Sequence, residues 1–198
     1  MLERVVSDLL GSPVSSKWVG VHGVGGAGKT LLAKRVCENH QVKEHFDPVL
    51  WLTFGQTCQV EAKQAELANQ IRLESRISNE TLRRGLAGKR CLMVLDDVWT
   101  SGDLLDLFDV VQENGSKIFI TTRKLDVLDS RGAIKTKMGL LGKEDSLKLF
   151  TVHAYPNQKY AQNQVKKIVM EQVVEKCGGL PLVLKVIGRR MAGKQDWD

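Results

Sequence analysis

The 198-residue chain is 42% hydrophobic and 26% charged, with a formal net charge of +6, a composition with room for one sizeable domain or one domain and part of a second. It has no apolar run near the roughly 18 residues that a membrane helix needs, and its start, Met1-Leu2-Glu3-Arg4, lacks a signal-peptide core, so a cytoplasmic location is expected, with the nucleus as the alternative. Lys and Arg are dispersed and aromatics are few, which argues against a nucleic-acid partner, while four scattered cysteines without a C-x-x-C pair argue for reduced thiols and against a zinc site.

The first expected strand, 18–22, delivers Gly23-Val24-Gly25-Gly26-Ala27-Gly28-Lys29-Thr30, a complete G-x-x-x-x-G-K-[ST] phosphate-binding loop that opens a helix over 30–39. The glycines let backbone N–H groups from Gly25, Gly26, Ala27, Gly28, Lys29, Thr30 and Leu31 close around a polyphosphate, with the positive end of the helix dipole behind them. Lys29 is expected to reach the β- and γ-phosphates and the Thr30 hydroxyl to bind Mg²⁺, so the ligand is a nucleoside triphosphate or its diphosphate product.

Further strands are expected at 49–54, 90–96, 117–122 and 134–138. Helices are expected at 60–74 (with Leu67, Ala68 and Ile71 as its apolar stripe), 79–86 and 103–111. Apolar strands alternating with helices predict an α/β fold, a doubly wound parallel sheet of the P-loop NTPase type whose functional residues lie just after the strands. The strand at 90–96 ends in Asp96-Asp97. Asp96 is the candidate metal ligand beside Thr30, and Asp97 the candidate acid that polarises an attacking water; the alternative for both is a turn or helix cap. The strand at 117–122 ends in a hydroxyl pair followed by Arg123, placed to meet a γ-phosphate or else to be an ordinary surface cation. Trp51 and Trp99, near strand ends, read as core or rim packing.

After residue 140 only helical patterns remain, at 144–154, 164–177 and 182–191, with Gly178-Gly179 as a stop and Pro181 in the first turn of the last helix. The expected organisation is a P-loop nucleotide-binding subdomain over 1–140 and a small helical subdomain over 141–198, incomplete on its C-terminal side.

Six blocks in order resemble the NB-ARC domain, the signal-transduction ATPase module of plant intracellular disease-resistance receptors of the nucleotide-binding leucine-rich-repeat family. They are the phosphate loop, Phe46-Asp47-Pro48-Val49-Leu50-Trp51-Leu52, Cys91-Leu92-Met93-Val94-Leu95-Asp96-Asp97-Val98-Trp99, Lys117-Ile118-Phe119-Ile120-Thr121-Thr122-Arg123, the segment 140–150, and Cys177-Gly178-Gly179-Leu180-Pro181-Leu182. Val98-Trp99 is similar to the coiled-coil class of these receptors. The resemblance implies an ATP/ADP switch with slow Mg²⁺-dependent hydrolysis that controls a defence receptor. Lys29 and Asp97 would be its catalytic groups, Thr30 and Asp96 its metal ligands and Arg123 its γ-phosphate sensor, with Pro181 and Leu182 at the adenine. It also implies that the 117–122 strand lies between the phosphate-loop strand and the Asp96 strand.

Receptor domains outside this chain (coiled-coil or TIR, winged-helix and leucine-rich repeat) are implied as partners, together with a nucleotide-dependent homo-oligomer. A hydrophobic-Gly-Arg element of the family's adenine pocket is not found before the loop, so modest nucleotide affinity is expected. Two other classes stay open on residues alone: a small kinase or loader ATPase, and a scaffold that binds nucleotide without hydrolysing it.

Overall fold

The computed structural model describes residues 1–11, 16–57, 59–73, 76–100, 115–155 and 164–192. The helix expected at 103–111 lies outside them. The chain divides into two compact units, Met1–Gly23 with Lys29–Lys137, and Val24–Gly28 with Met138–Asp198.

The first unit is built on five parallel strands, β1 (Trp18–His22), β2 (Val49–Thr53), β3 (Leu92–Val98), β4 (Lys117–Thr122) and β5 (Ile134–Lys137), in the order β2-β3-β4-β1-β5. Burial follows position in the sheet. All six residues of β4 are buried, because the strand has a neighbour on each side and helices on both faces, whereas the edge strands β2 and β5 mix buried and accessible positions. Period-two alternation then sorts the side chains into two layers. Leu50 and Leu52, Met93 and Leu95, Ile118 and Ile120 share one core with Leu67 of α4 (Val60–Gln70) and with Leu82 and Leu86 of α5 (Asn79–Leu86).

Gly20 belongs to this layer, and its missing side chain matters. A Cβ there would sit 2.3 Å from a methyl of Leu128, so glycine is what lets the short helix α6 (Leu125–Asp129) lie against β1. On the opposite layer run Val19 and Val21, Leu92 and Val94, and Phe119. This face meets α1 (Leu2–Leu10), through Val5, Val6 and Leu9, and α2 (Lys29–Glu38), through Leu32, Ala33 and Val36; α3 (His40–His45) packs on both helices. Helices on both faces of a parallel sheet make the fold doubly wound.

Several boundaries differ from expectation for local reasons. The helix expected to 74 stops at Gln70, where Arg72 takes φ +55° and the Leu73 N–H donates back to Ala68. The helix expected at 30–39 hands over at Asn39, whose side chain accepts from the N–H groups of Gln41 and Val42 and so caps α3. β3 is displaced two residues towards its C-terminus, taking both aspartates into the strand. Helices α1, α3 and α6 were not anticipated.

The second unit packs α7 (Lys143–Ala154), α8 (Gln164–Lys176) and α9 (Pro181–Met191) around Phe150, Ala154, Met170, Val174, Cys177 and Leu184. Gly178 and Gly179 take φ +59° and +71° and end α8. Gly188 brings α9 against α7, since a Cβ there would lie 2.9 Å from the Phe150 carbonyl. No helix among the described residues is long and apolar enough to cross a membrane.

Candidate phosphate-binding site

In the first unit the alternation of β3 decides what faces α2. Leu92 and Val94 point to the α2 layer, and Asp96 follows them at the carboxyl end, 3% exposed. Lys117, Phe119 and Thr121 form the same series on β4. Thr30, in the first turn of α2, donates its hydroxyl proton between the two Asp96 oxygens, at 3.0 and 3.1 Å, and Thr121 Oγ1 donates to Asp96 Oδ1 at 2.6 Å. A residue of the phosphate loop, the strand-end carboxylate and a β4 hydroxyl are therefore joined in one network.

Directly after Asp96 the β3–β4 pairing slips. Leu95 pairs with Ile120 but Val98 with Thr122, so Asp96 and Asp97 together face Thr121. This is a β-bulge, and Asp97 takes φ +54° within it, a conformation rare outside glycine. Strict alternation would put Asp97 on the α4 layer; the bulge re-aims it. Its N–H donates to Thr121 Oγ1 at 3.0 Å, so one hydroxyl fills the gap in the ladder from both sides. Asp97 Oδ2 accepts from Trp99 Nε1 at 3.1 Å, and Oδ1 lies 3.6 Å from Arg123 Nε.

Lys29 is 7% exposed, and its ammonium donates to the Gly23 carbonyl at 2.8 Å. Burial lowers its pKa, and the Arg123 charge lowers it further, while Asp97 and Asp96 oppose the shift. His22, just before the loop, is also held towards its neutral form, by burial and then by Lys137 and Lys135.

In the second unit lie Gly25, Gly26, Ala27 and Gly28 of the loop, with Pro181 and Leu182. Gly26 and Gly28 take φ +79° and +102°, as a loop turning its N–H groups inward requires. The Leu182 N–H donates to the Gly26 carbonyl at 3.3 Å. Pro181, which has no N–H, occupies the first position of α9, so Leu182 supplies the first amide of that helix, and the loop carbonyl accepts it. Leu31 and Leu182 are exposed.

The structure thus brings Lys29, Thr30, Asp96, Asp97 and Arg123 together in the first unit, and the loop glycines with Pro181 and Leu182 in the second. Sequence reasoning passed over Thr121, although the hydroxyl pair at the end of β4 was its signal. It also read Trp99 as packing, whereas the indole contacts both Asp97 and Arg123.

A model of the NB-ARC domain matches residues 1–160. The chain belongs to the NB-ARC family. Relatives are named for plant disease resistance; one from Arabidopsis thaliana is 32% identical over 214 residues, covering 100% of this chain and 25% of its own length. The chain spans about a quarter, 21–29%, of the length of the curated relatives it matches. Among solved structures, Cdc6p from Pyrobaculum aerophilum is similar with a TM-score of 0.68, at 15% identity, covering 94% of this chain and 58% of that one. A signal-transduction ATPase with numerous domains, carrying a tetratricopeptide-repeat sensor, from Pyrococcus horikoshii has a TM-score of 0.59 at 16% identity, covering 99% and 30%. These likenesses bear on the fold alone and agree with the doubly wound parallel sheet of this NB-ARC chain.

Proposed function

We propose that this chain is the nucleotide-binding part of a plant defence receptor, an ATP/ADP switch that resets by slow Mg²⁺-dependent hydrolysis. The hydrogen-bond network of Thr30, Asp96 and Thr121 carries the reading, because it sets the hydroxyl of the phosphate loop beside the carboxylate of the neighbouring strand. The donor set fits magnesium. Among the described residues no three His, Cys, Asp or Glu side chains form a protein cage, and Mg²⁺ prefers one or two protein ligands with the remainder from water and phosphate. Held by Thr30 and Asp96, it would neutralise charge on the β- and γ-phosphates.

The remaining roles belong to the chain itself. The Lys29 ammonium would exchange the Gly23 carbonyl for phosphate oxygens. The N–H groups of Gly25, Gly26, Ala27, Gly28, Lys29, Thr30 and Leu31 would hold the polyphosphate. Asp97 would orient and deprotonate the attacking water. Arg123 would bind the γ-phosphate through its planar fork. Pro181 and Leu182, in the same unit as the loop glycines, would contact adenine. The greater length of the relatives supports further receptor domains as partners.

The function is tested by identifying the nucleotide released on denaturing the purified protein, then by three variants. Lys29→Ala should lose ADP and ATP binding, because several charge-assisted bonds vanish together. Asp97→Ala should keep nucleotide but slow single-turnover hydrolysis, and Asp96→Ala should weaken its Mg²⁺ dependence. Unchanged affinity in a folded Lys29→Ala protein would remove the site; indistinguishable Asp96 and Asp97 variants would remove the division of roles. Hydrogen exchange tests the adenine contact. ADP should protect the amides of Leu180 and of residues 182–186, less so in Pro181→Ala, and protection confined to the phosphate loop would exclude it.

A further inference from the structure

Asp97 holds its φ of +54° without glycine's freedom, so something must over-determine it. Its backbone is fixed by Thr121, but its carboxylate is fixed by Trp99, whose Nε1–H donates to Oδ2 at 3.1 Å. The face of the same indole lies under Arg123, with the guanidinium carbon 4.7 Å from the ring centroid. Arg123 Nε completes the triangle, 3.6 Å from Asp97 Oδ1.

The Asp97–Arg123 pair cannot hold this arrangement alone. Both side chains are partly exposed, at 32% and 46%, and such pairs are weak and screened. The indole adds two directed contacts that salt does not remove, an edge hydrogen bond to the acid and a face contact to the cation. Stacking also leaves the guanidinium N–H groups in their own plane, available to an anion, whereas a second carboxylate would consume them.

Resting on the switch reading, we propose that Trp99 is a positioning residue: its N–H orients the Asp97 carboxylate and its ring seats Arg123, so that the hydrolytic acid and the phosphate sensor are held as one set. Loss of the N–H should then affect hydrolysis, and loss of the ring should affect the preference for ATP over ADP.

The test starts without nucleotide. Of the four tryptophans, the indole ¹⁵N–H resonance of Trp99 is the one missing from Trp99→Phe. It should shift in Asp97→Ala and again in Arg123→Ala. A resonance unmoved by both changes overturns the proposal, whether or not the chain binds nucleotide. In the nucleotide assays Trp99→Phe, which keeps a ring but no N–H, should slow single-turnover hydrolysis roughly tenfold while ATP affinity stays unchanged. Trp99→Leu should in addition lower the ATP-over-ADP affinity ratio to that of Arg123→Ala. Parental rates and ratios in both folded variants overturn it too. A parent chain that bound no nucleotide would sink the switch reading instead, leaving the indole shifts to decide the clamp.

Discussion

Thr121 serves two aspartates with one hydroxyl, accepting the Asp97 amide and donating to Asp96 Oδ1. Thr121→Val keeps the shape of the side chain and removes both bonds. A part-buried N–H then loses its partner, which costs about 1–3 kcal/mol when nothing replaces it, while Asp96 Oδ1 keeps only the Thr30 hydroxyl. The variant should melt earlier than the parent and need more Mg²⁺ for half-maximal nucleotide binding, since Asp96 is then held by Thr30 alone. Calorimetry and a magnesium titration measure the two effects separately. A change in melting alone would make Thr121 a purely structural residue.

At the scale of elements, approach distances are set by glycines. Gly188 sits where a Cβ would meet the Phe150 carbonyl at 2.9 Å and the His153 Cβ at 3.0 Å, so α7 and α9 touch almost backbone to backbone. Leucine is the better helix former by nearly 1 kcal/mol. On propensity alone Gly188→Leu would stabilise α9; overpacking, at about 1–3 kcal/mol, should win because a carbonyl cannot rotate away as a side-chain tip can. The expected result is a lower denaturation midpoint with helices α7 and α9 less protected from exchange. A higher midpoint would mean that the contact yields easily.

At the scale of the whole molecule, titratable groups partly or fully withdrawn from water bound the stable pH range on both sides. His22, His45 and His153 have pKa values lowered chiefly by burial, with neighbouring Lys and Arg charges adding to it. The unfolded chain therefore takes up protons first as pH falls below about 6.5, and the stability these groups contribute above that value is lost as pH drops through their folded values. Burial pushes the Cys91 thiol up to about 11 from an ordinary 9.0. Its contribution is present below pH 9 and is lost as pH rises towards 11, since the unfolded thiol ionises first. Lys29 and Lys117, lowered by burial, act in the opposite sense at high pH. Urea midpoints over pH 5–11 should fall on the acid side. On the alkaline side the parent should lose an increment that Cys91→Ala does not, and parallel alkaline curves would contradict the Cys91 assignment.

Sequence by itself determined the phosphate loop, the parallel α/β plan and the succession of strands, because these are local: a glycine-rich turn between an apolar run and a helix, and apolar runs too continuous for a half-exposed sheet. It also brought Lys29, Thr30, Asp96, Asp97 and Arg123 into view, since parallel strands present their carboxyl ends at one edge. Tertiary structure alone decided how these residues meet. The slip between Leu95 and Val98 exists only in the pairing of β3 with β4, and it turns Asp97 away from the layer its position in the strand would give it. Trp99 reads as packing until β4 delivers Arg123 onto its face. The helices α3 and α6 were hidden for a related reason: segments of five or six residues carry little periodicity, and their apolar residues become a face only when their neighbours cover them. Helix α1 was legible, since Leu2, Val5, Val6 and Leu9 keep helical spacing, and was passed over.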